Sequence, residues 1–310
     1  MKSMKQHAGF TMIELLFVIV IMGIVGGLAL EAIRQYYEGI YRTEEYSKRV
    51  AQADQMLEQI AHYFEIAISD SIIRLDENNL TGCYGIPETG DDNNDYTIAF
   101  VSVDQDGMRG FWDGTRWRPG WSRDGVAGIN TLFSADANYT AMNNLSPLAA
   151  SNTSRAAIFR SEGLGEGDNE CERFGWESGG NTNNVYARIV SVDSDTNLTL
   201  DKNLNISGQA KRTYVMRTAY ALRARDGEFN IYSGFEPWNN ERYDSAPARL
   251  LGENVTHFTI LYDNANTAMN SNVGNIYTLK ICVRGLDDNL VDTNDSDRQI
   301  CRERMVHVRY

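Results

Sequence analysis

Gly9-Phe10-Thr11-Met12-Ile13-Glu14-Leu15-Leu16-Phe17-Val18-Ile19-Val20-Ile21-Met22 follows a short leader, residues 1–8, that carries Lys2 and Lys5. From Phe10 to Leu30 only Thr11 and Glu14 are markedly polar. At ~1.5 Å per residue this run gives roughly 30 Å of helix, about one hydrocarbon core. The stretch therefore reads as a transmembrane helix, spanning 10–30. A secretory signal peptide places its small-residue cleavage site after the apolar run. Here the small residue, Gly9, stands before it.

Glu14 is the exceptional residue. A carboxylate near the end of a membrane helix costs on the order of a few kcal/mol unless it is paired. Nothing cationic lies within one turn on its C-terminal side. A cut after Gly9 would give Phe10 an α-ammonium, four residues from Glu14 and within reach of the Glu14 of a neighbouring subunit. Cleavage would thus create the counter-ion that Glu14 needs.

Gly-Phe-Thr-x-Ile-Glu-Leu-Leu ahead of an apolar run resembles the class III signal of type IV prepilins and type II secretion pseudopilins. By that resemblance Gly9 precedes the cut made by prepilin peptidase, and Phe10 is the N-methylated residue. Glu14 is then the acidic residue that aligns an incoming subunit with the filament. The resemblance also implies other pilin or pseudopilin subunits and an inner-membrane assembly platform as partners. Many major pilins have a Pro at the position of Glu31. This chain does not, so any loosening of the stem on assembly would rely on Gly23, Gly26, Gly27 and Gly39.

Past the membrane the apolar positions run Val50, Ala53, Leu57, Ile60, Phe64, Ile68, Ile72 and Leu75. Steps of three or four place them on one helical face. Glu44, Glu45, Arg49, Gln52, Gln55, Glu58 and Asp70 occupy the other. One helix is expected over 10–75, apolar all round in lipid and then amphipathic. Residues 76–310 are expected to fold as a β-rich head. Strands are expected at Tyr96–Val103, Val185–Val192, Leu198–Leu200, Thr213–Arg223, Glu228–Tyr232, His257–Tyr262, Ile276–Val283 and near Arg304–Arg309. Ala248–Val255 reads as a helical turn or loop. Residues 122–184 are polar and weakly periodic, with a short strand at Ala156–Arg160. The fold class is α+β: a long N-terminal helix packed on an antiparallel C-terminal sheet. The order Tyr214–Leu222, then Leu250-Leu251-x-x-x-Val255-x-x-Phe258, then a last hairpin resembles the J-type minor pseudopilins and the W-type minor pilins. Glu14 separates the chain from the K-type tip subunit, which typically lacks it.

The net charge of −13 argues against broad binding to nucleic-acid phosphates and suits a head kept off anionic lipid. The four cysteines, Cys83, Cys171, Cys282 and Cys301, form no C-x-x-C pair and allow three pairings. Cys282–Cys301 with Cys83–Cys171 is favoured, since 282 and 301 flank a polar loop between two strand-like runs. Met108–Trp121 gathers Phe111, Trp112, Trp117 and Trp121 around Asp113-Gly114, which reads as a hairpin whose aromatics pack rather than bind a sugar or partner.

His7, His62, His257 and His307 are isolated, and no nucleophile elbow or P-loop is present. No catalysis and no cofactor are expected. Calcium is the one ligand the acidic loops Asp91–Asp95, Asp193–Asp201 and Asp287–Asp297 offer oxygens for, although none has EF-hand spacing. Three functions follow in order. The first is a minor subunit that primes the tip of a type II secretion pseudopilus, held in the inner membrane with the N-terminus cytoplasmic and the head periplasmic. The second is a minor subunit of a surface type IV pilus, for adhesion, motility or DNA uptake. The third is a signal-anchored periplasmic binding protein that never polymerises.

Overall fold

The structure is a computed structural model. It describes residues 11–76, 82–87, 96–105, 109–118, 122–127, 130–145, 147–150, 153–154, 156–160, 170–176, 186–204, 211–262, 275–284 and 299–308. The leader with Gly9 and Phe10, Trp121, and the acidic loops at 91–95 and 287–297 lie outside these residues.

Helix α1 runs without interruption over Met12–Phe64, 53 residues. Its first part is exposed all round. Ala53, Met56, Leu57, Ile60, Ala61 and Phe64 are buried. The apolar spacing of 50–64 thus becomes a packed face, as amphipathic periodicity requires.

The helix ends at Phe64, short of the expected residue 75. The chain turns at residues 65–66. The Ile68 N–H then donates to Val101 O at 2.9 Å, and the Val103 N–H donates to Ile66 O at 2.9 Å. A short 3-10 turn, Ser69–Ser71, leads into strand β1, Ile73–Asp76. The β-branched Ile66, Ile68, Ile72 and Ile73 favour extended backbone. Ile68, Ile72 and Ile73 are still buried, but from the two ends of the 3-10 turn and the start of β1 rather than from further turns of helix.

The remaining strands are β2 (Cys83–Gly85), β3 (Tyr96–Val103), β4 (Phe111–Trp112), β5 (Trp117–Arg118), β6 (Ser122–Ala127), β7 (Thr131–Phe133), β8 (Ala149–Ala150), β9 (Thr153–Ser154), β10 (Ala157–Arg160), β11 (Tyr186–Val192), β12 (Asn197–Leu200), β13 (Lys211–Arg225), β14 (Glu228–Phe235), β15 (Ala248–Glu253), β16 (Val255–Tyr262), β17 (Asn275–Arg284) and β18 (Gln299–Val308). Two short helices, α2 (Tyr139–Leu145) and α3 (Glu170–Arg173), lie among them.

The large sheet has 11 strands along β10-β11-β12-β7-β6-β13-β3-β1-β2, with β14 pairing β13 and β15 pairing β14. All of its pairings are antiparallel. A second sheet has the order β16-β17-β18. The α+β architecture therefore stands, with the long helix against an antiparallel head.

Strand β3 shows how the layers meet. Its side chains alternate between faces, and nearly all are buried. Ile98 and Phe100 join the core shared with α1, Leu222, Phe229 and the β16–β18 sheet. Ala99, Val101 and Val103 join a second core with Cys171, Phe174, Trp238 and Tyr243 on the far side.

Strand β15 replaces the helical turn or loop expected near 248–255. Its Ala-Arg-Leu-Leu sequence is locally a good helix former, but the open edge of β14 supplies ladder partners from Glu228 to Tyr232. Tertiary pairing overrides the weak local preference. The region 130–204 contributes a third core, with Leu132, Tyr139, Met142, Ile158, Ile189 and Leu198, packed against Val215 of β13. Its strands are short, which is why periodicity alone did not delineate them.

Candidate functional site

The site is the helix itself, from its N-terminus to its seat in the head. At the N-terminus Thr11 caps α1. The Thr11 N–H donates to Glu14 Oε2 at 3.1 Å, and the Thr11 hydroxyl donates to the same oxygen at 3.0 Å. The Glu14 N–H donates back to Thr11 Oγ1 at 3.4 Å. This is a reciprocal capping box, which satisfies orphan N–H groups of the first turn. Its signature, Thr11-x-x-Glu14, is legible in the sequence, where the lack of a counter-ion draws attention first. Glu14 thus has a local partner even where no α-ammonium is at hand. Gly9 and Phe10 lie outside the described residues.

From Met12 to Leu30 every residue is exposed in the isolated chain. The helix is long and apolar enough to cross a membrane. A Cβ on Gly23, Gly26, Gly27 or Gly39 would meet nothing within 4 Å. Packing inside the subunit therefore does not require these glycines.

The lower half is held to the head by more than its apolar face. Gln52 donates to Glu253 O at 2.8 Å. Arg302 on β18 faces Asp54 at 3.5 Å, and Arg304, two residues on, pairs with Glu58. Arg249 on β15 donates to the Tyr63 hydroxyl. These contacts are largely solvent-exposed, so each contributes about 0–1 kcal/mol and mainly fixes the helix's rotation and register. Burial of the six apolar side chains supplies most of the attachment.

Two disulfides brace the head. Cys83 on β2 is joined to Cys171 on α3, and Cys282 to Cys301 across β17 and β18. The latter two are direct register partners. Disulfides of this kind belong to an oxidising compartment.

The β4–β5 hairpin differs from expectation. Trp112 and Trp117 face each other across it but stand 61% and 59% exposed. The turn is fixed by polar contacts instead. The Asp113 carboxylate accepts from the Thr115 and Arg116 N–H groups, both at 2.8 Å, and from Arg118. Those donors hold Asp113 well below the usual carboxylate range.

Among the described residues no group of three or more His, Cys, Asp or Glu is placed to hold a metal ion. In the loop at 193–201, Asp193 accepts from Ser191 and Thr199, both at 2.7 Å. Asp201 accepts from the Arg188 N–H and pairs with its guanidinium, both at 2.7 Å. These oxygens are engaged inside the protein.

Residues 4–30 match the Prokaryotic N-terminal methylation motif. Neither the curated proteins nor the solved structures contain a match to the chain. The motif supports the pilin superfamily, with processing by prepilin peptidase and assembly with other pilin subunits. It points to a structural subunit rather than to an enzyme family. Together with α1 it fits a membrane-anchored pilin-like protein whose head lies outside the cytoplasm.

Proposed function

We propose that this chain is a minor subunit of a type II secretion pseudopilus, cut after Gly9, methylated on Phe10 and placed in the priming tip. The observation that carries the pilin-like reading is the methylation motif at the head of an exposed apolar helix that runs unbroken into a folded β-rich head. The order of C-terminal segments around Tyr214–Leu222 and Leu250–Phe258, which resembles both the J-type minor pseudopilins and the W-type minor pilins, supports a minor subunit of either assembly, and the pseudopilus is placed first.

The work of such a subunit is physical. In the inner membrane its stem is solvated by lipid. On assembly the stem packs among other stems, where the glycines at 23, 26 and 27 allow close helix approach. Glu14 then exchanges its Thr11 contacts for a terminal ammonium.

Mass spectrometry of the N-terminal peptide tests this, on sheared surface filaments and on the stripped cell envelope separately. Trypsin should release Phe10–Arg34 carrying one methyl, from the envelope fraction. Recovery from the sheared filaments would make the chain a surface type IV pilin instead. An N-terminus that retains Gly9 would reject processing and leave the signal-anchored binding protein.

A further inference from the structure

Beyond the apolar stem, α1 carries a second exposed feature. Ile33, Tyr36, Tyr37, Ile40 and Tyr41 are 44–68% exposed, and the Tyr36 and Tyr37 rings meet edge-on at 6.0 Å. At ~100° per residue these five positions fall within an arc of roughly 140°. Glu31, Arg34, Gln35, Glu38, Arg42 and Glu45 fall on the other side. Arg34 is paired with Glu38 at 2.8 Å there, and the Gln35 amide donates to Glu31. The stripe stops at Glu44, which is paired with Lys48 at 3.0 Å. Carried along the helix by the same spacing, the face that buries Met56, Leu57, Ile60 and Phe64 in the head lies roughly opposite the aromatic arc.

The position along the axis is equally specific. Thr11 to Tyr41 spans about 45 Å of helix, the thickness of a bilayer with its headgroup layers. Tyrosine has an apolar ring and a polar tip and is enriched at that level. An arc on one side favours a tilted helix, because only the lower side of a leaning rod re-enters the interface.

We infer that Ile33, Tyr36, Tyr37, Ile40 and Tyr41 form a one-sided collar that rests in the lipid headgroup layer and makes the subunit lean toward it. The head, packed on the opposite side of α1, is then held on the upper side of the lean, away from the membrane. The acidic character of the chain acts in the same direction on an anionic surface. This rests on the membrane-anchored reading proposed above.

The full chain would be reconstituted in vesicles of phosphatidylcholine with a minor share of phosphatidylglycerol. Single nitroxide labels are placed by Gln35→Cys, Tyr37→Cys, Glu38→Cys and Ile40→Cys, all four native cysteines being in disulfides. In each pair, 35 with 37 and 38 with 40, the aromatic-side position is two residues further from the membrane, a climb of ~3 Å. An upright helix makes it the shallower of the two. A lean of about 30° lowers one side of a helix 10–12 Å wide by about 5–6 Å relative to the other, which reverses the order at both pairs.

Collisional depth measurements should show that reversal at both pairs. Tyr36→Ser with Tyr41→Ser should abolish it at the 38 and 40 pair. The upright order, or a reversal that survives the double substitution, overturns the collar. Label–label broadening at Tyr37→Cys and Ile40→Cys that persists on dilution with lipid means a second copy covers the arc, and also overturns it. Failure of the chain to float with vesicles rejects the membrane-anchored reading itself.

Discussion

Met56 on α1 lies directly against the backbone of Gly252 on β15, so closely that a Cβ on Gly252 would stand 2.2 Å from its sulfur. The contact joins the helix to the edge of the large sheet, with Met56 buried and Gly252 half-buried. Met56 is 1% exposed. Gly252→Ala should therefore overpack the joint and destabilise the head by about 1–3 kcal/mol. Adding Met56→Ala should recover part of that loss, since the two residues share one space. Denaturant titration of the detergent-solubilised full chain measures both. Strictly additive losses would mean that the helix and β15 do not compete for the space.

The two disulfides should differ in weight. Cys83–Cys171 closes a sequence separation of 88, and Cys282–Cys301 one of 19. Loop-closure entropy alone gives about 4–5 kcal/mol for the longer and about 3 for the shorter. The Cys83→Ser/Cys171→Ser variant should thus have the lower denaturation midpoint. An equal or reversed order would show that the cross-strand disulfide stabilises β17–β18 by more than restricting the unfolded chain.

Asp113 makes the β4–β5 hairpin acid-sensitive in a defined direction. Its folded pKa lies below its unfolded value of about 4. The contribution is therefore complete above about pH 4 and is lost as pH falls through the lower, folded value. The Trp117 indole N–H, which donates to Arg109 O, provides a local NMR probe. Its resonance should hold to near pH 4 and move below it. In Asp113→Asn it should already be displaced at neutral pH. A wild-type resonance that shifts around pH 6 would place the titrating group elsewhere.

Glu14 has two separable roles. Its carboxylate caps the helix through Thr11, and its charge is the proposed partner of a terminal ammonium. Glu14→Gln keeps an acceptor for the Thr11 N–H but loses the charge. Glu14→Ala loses both. Membrane insertion should be normal in both variants, and filament incorporation should fall in both, by on the order of tenfold or more for a lost charge-assisted contact. Quantitative immunoblotting of assembled and membrane fractions distinguishes the roles. Wild-type incorporation of Glu14→Gln would reduce Glu14 to a cap.

Most of the fold was legible where side chains alternate over long runs. Tyr96–Val103, the strand after Thr213 and His257–Tyr262 all fall in strands with close to the expected bounds. The end of α1 was not, because Phe64, Ile68 and Ile72 keep a helical step while also serving an extended chain. Strand β15 was hidden because its pairing comes from β14, far from its own residues' preference. The strands between 122 and 204 are too short to show a period. The exposure of Trp112 and Trp117 has no sequence signal at all, since an indole that packs and one that faces water are spelled alike. At the site, the methylation motif was legible residue by residue, and the capping box lay within it unread.

Helix α1 has no break between the segment long and apolar enough to cross a membrane and the turns buried in the head. At ~1.5 Å per residue it is a rod of roughly 80 Å. Its far end is anchored by Phe64 in the core and by the bridge that Ala67 makes to Ser102 of β3 directly after the helix. A pull applied at Glu14 is thus delivered to the head as displacement rather than spent in a linker. Any displacement of the stem along its axis would therefore move the head by the same amount, which makes the chain a push-rod whose stroke is set at its N-terminal end.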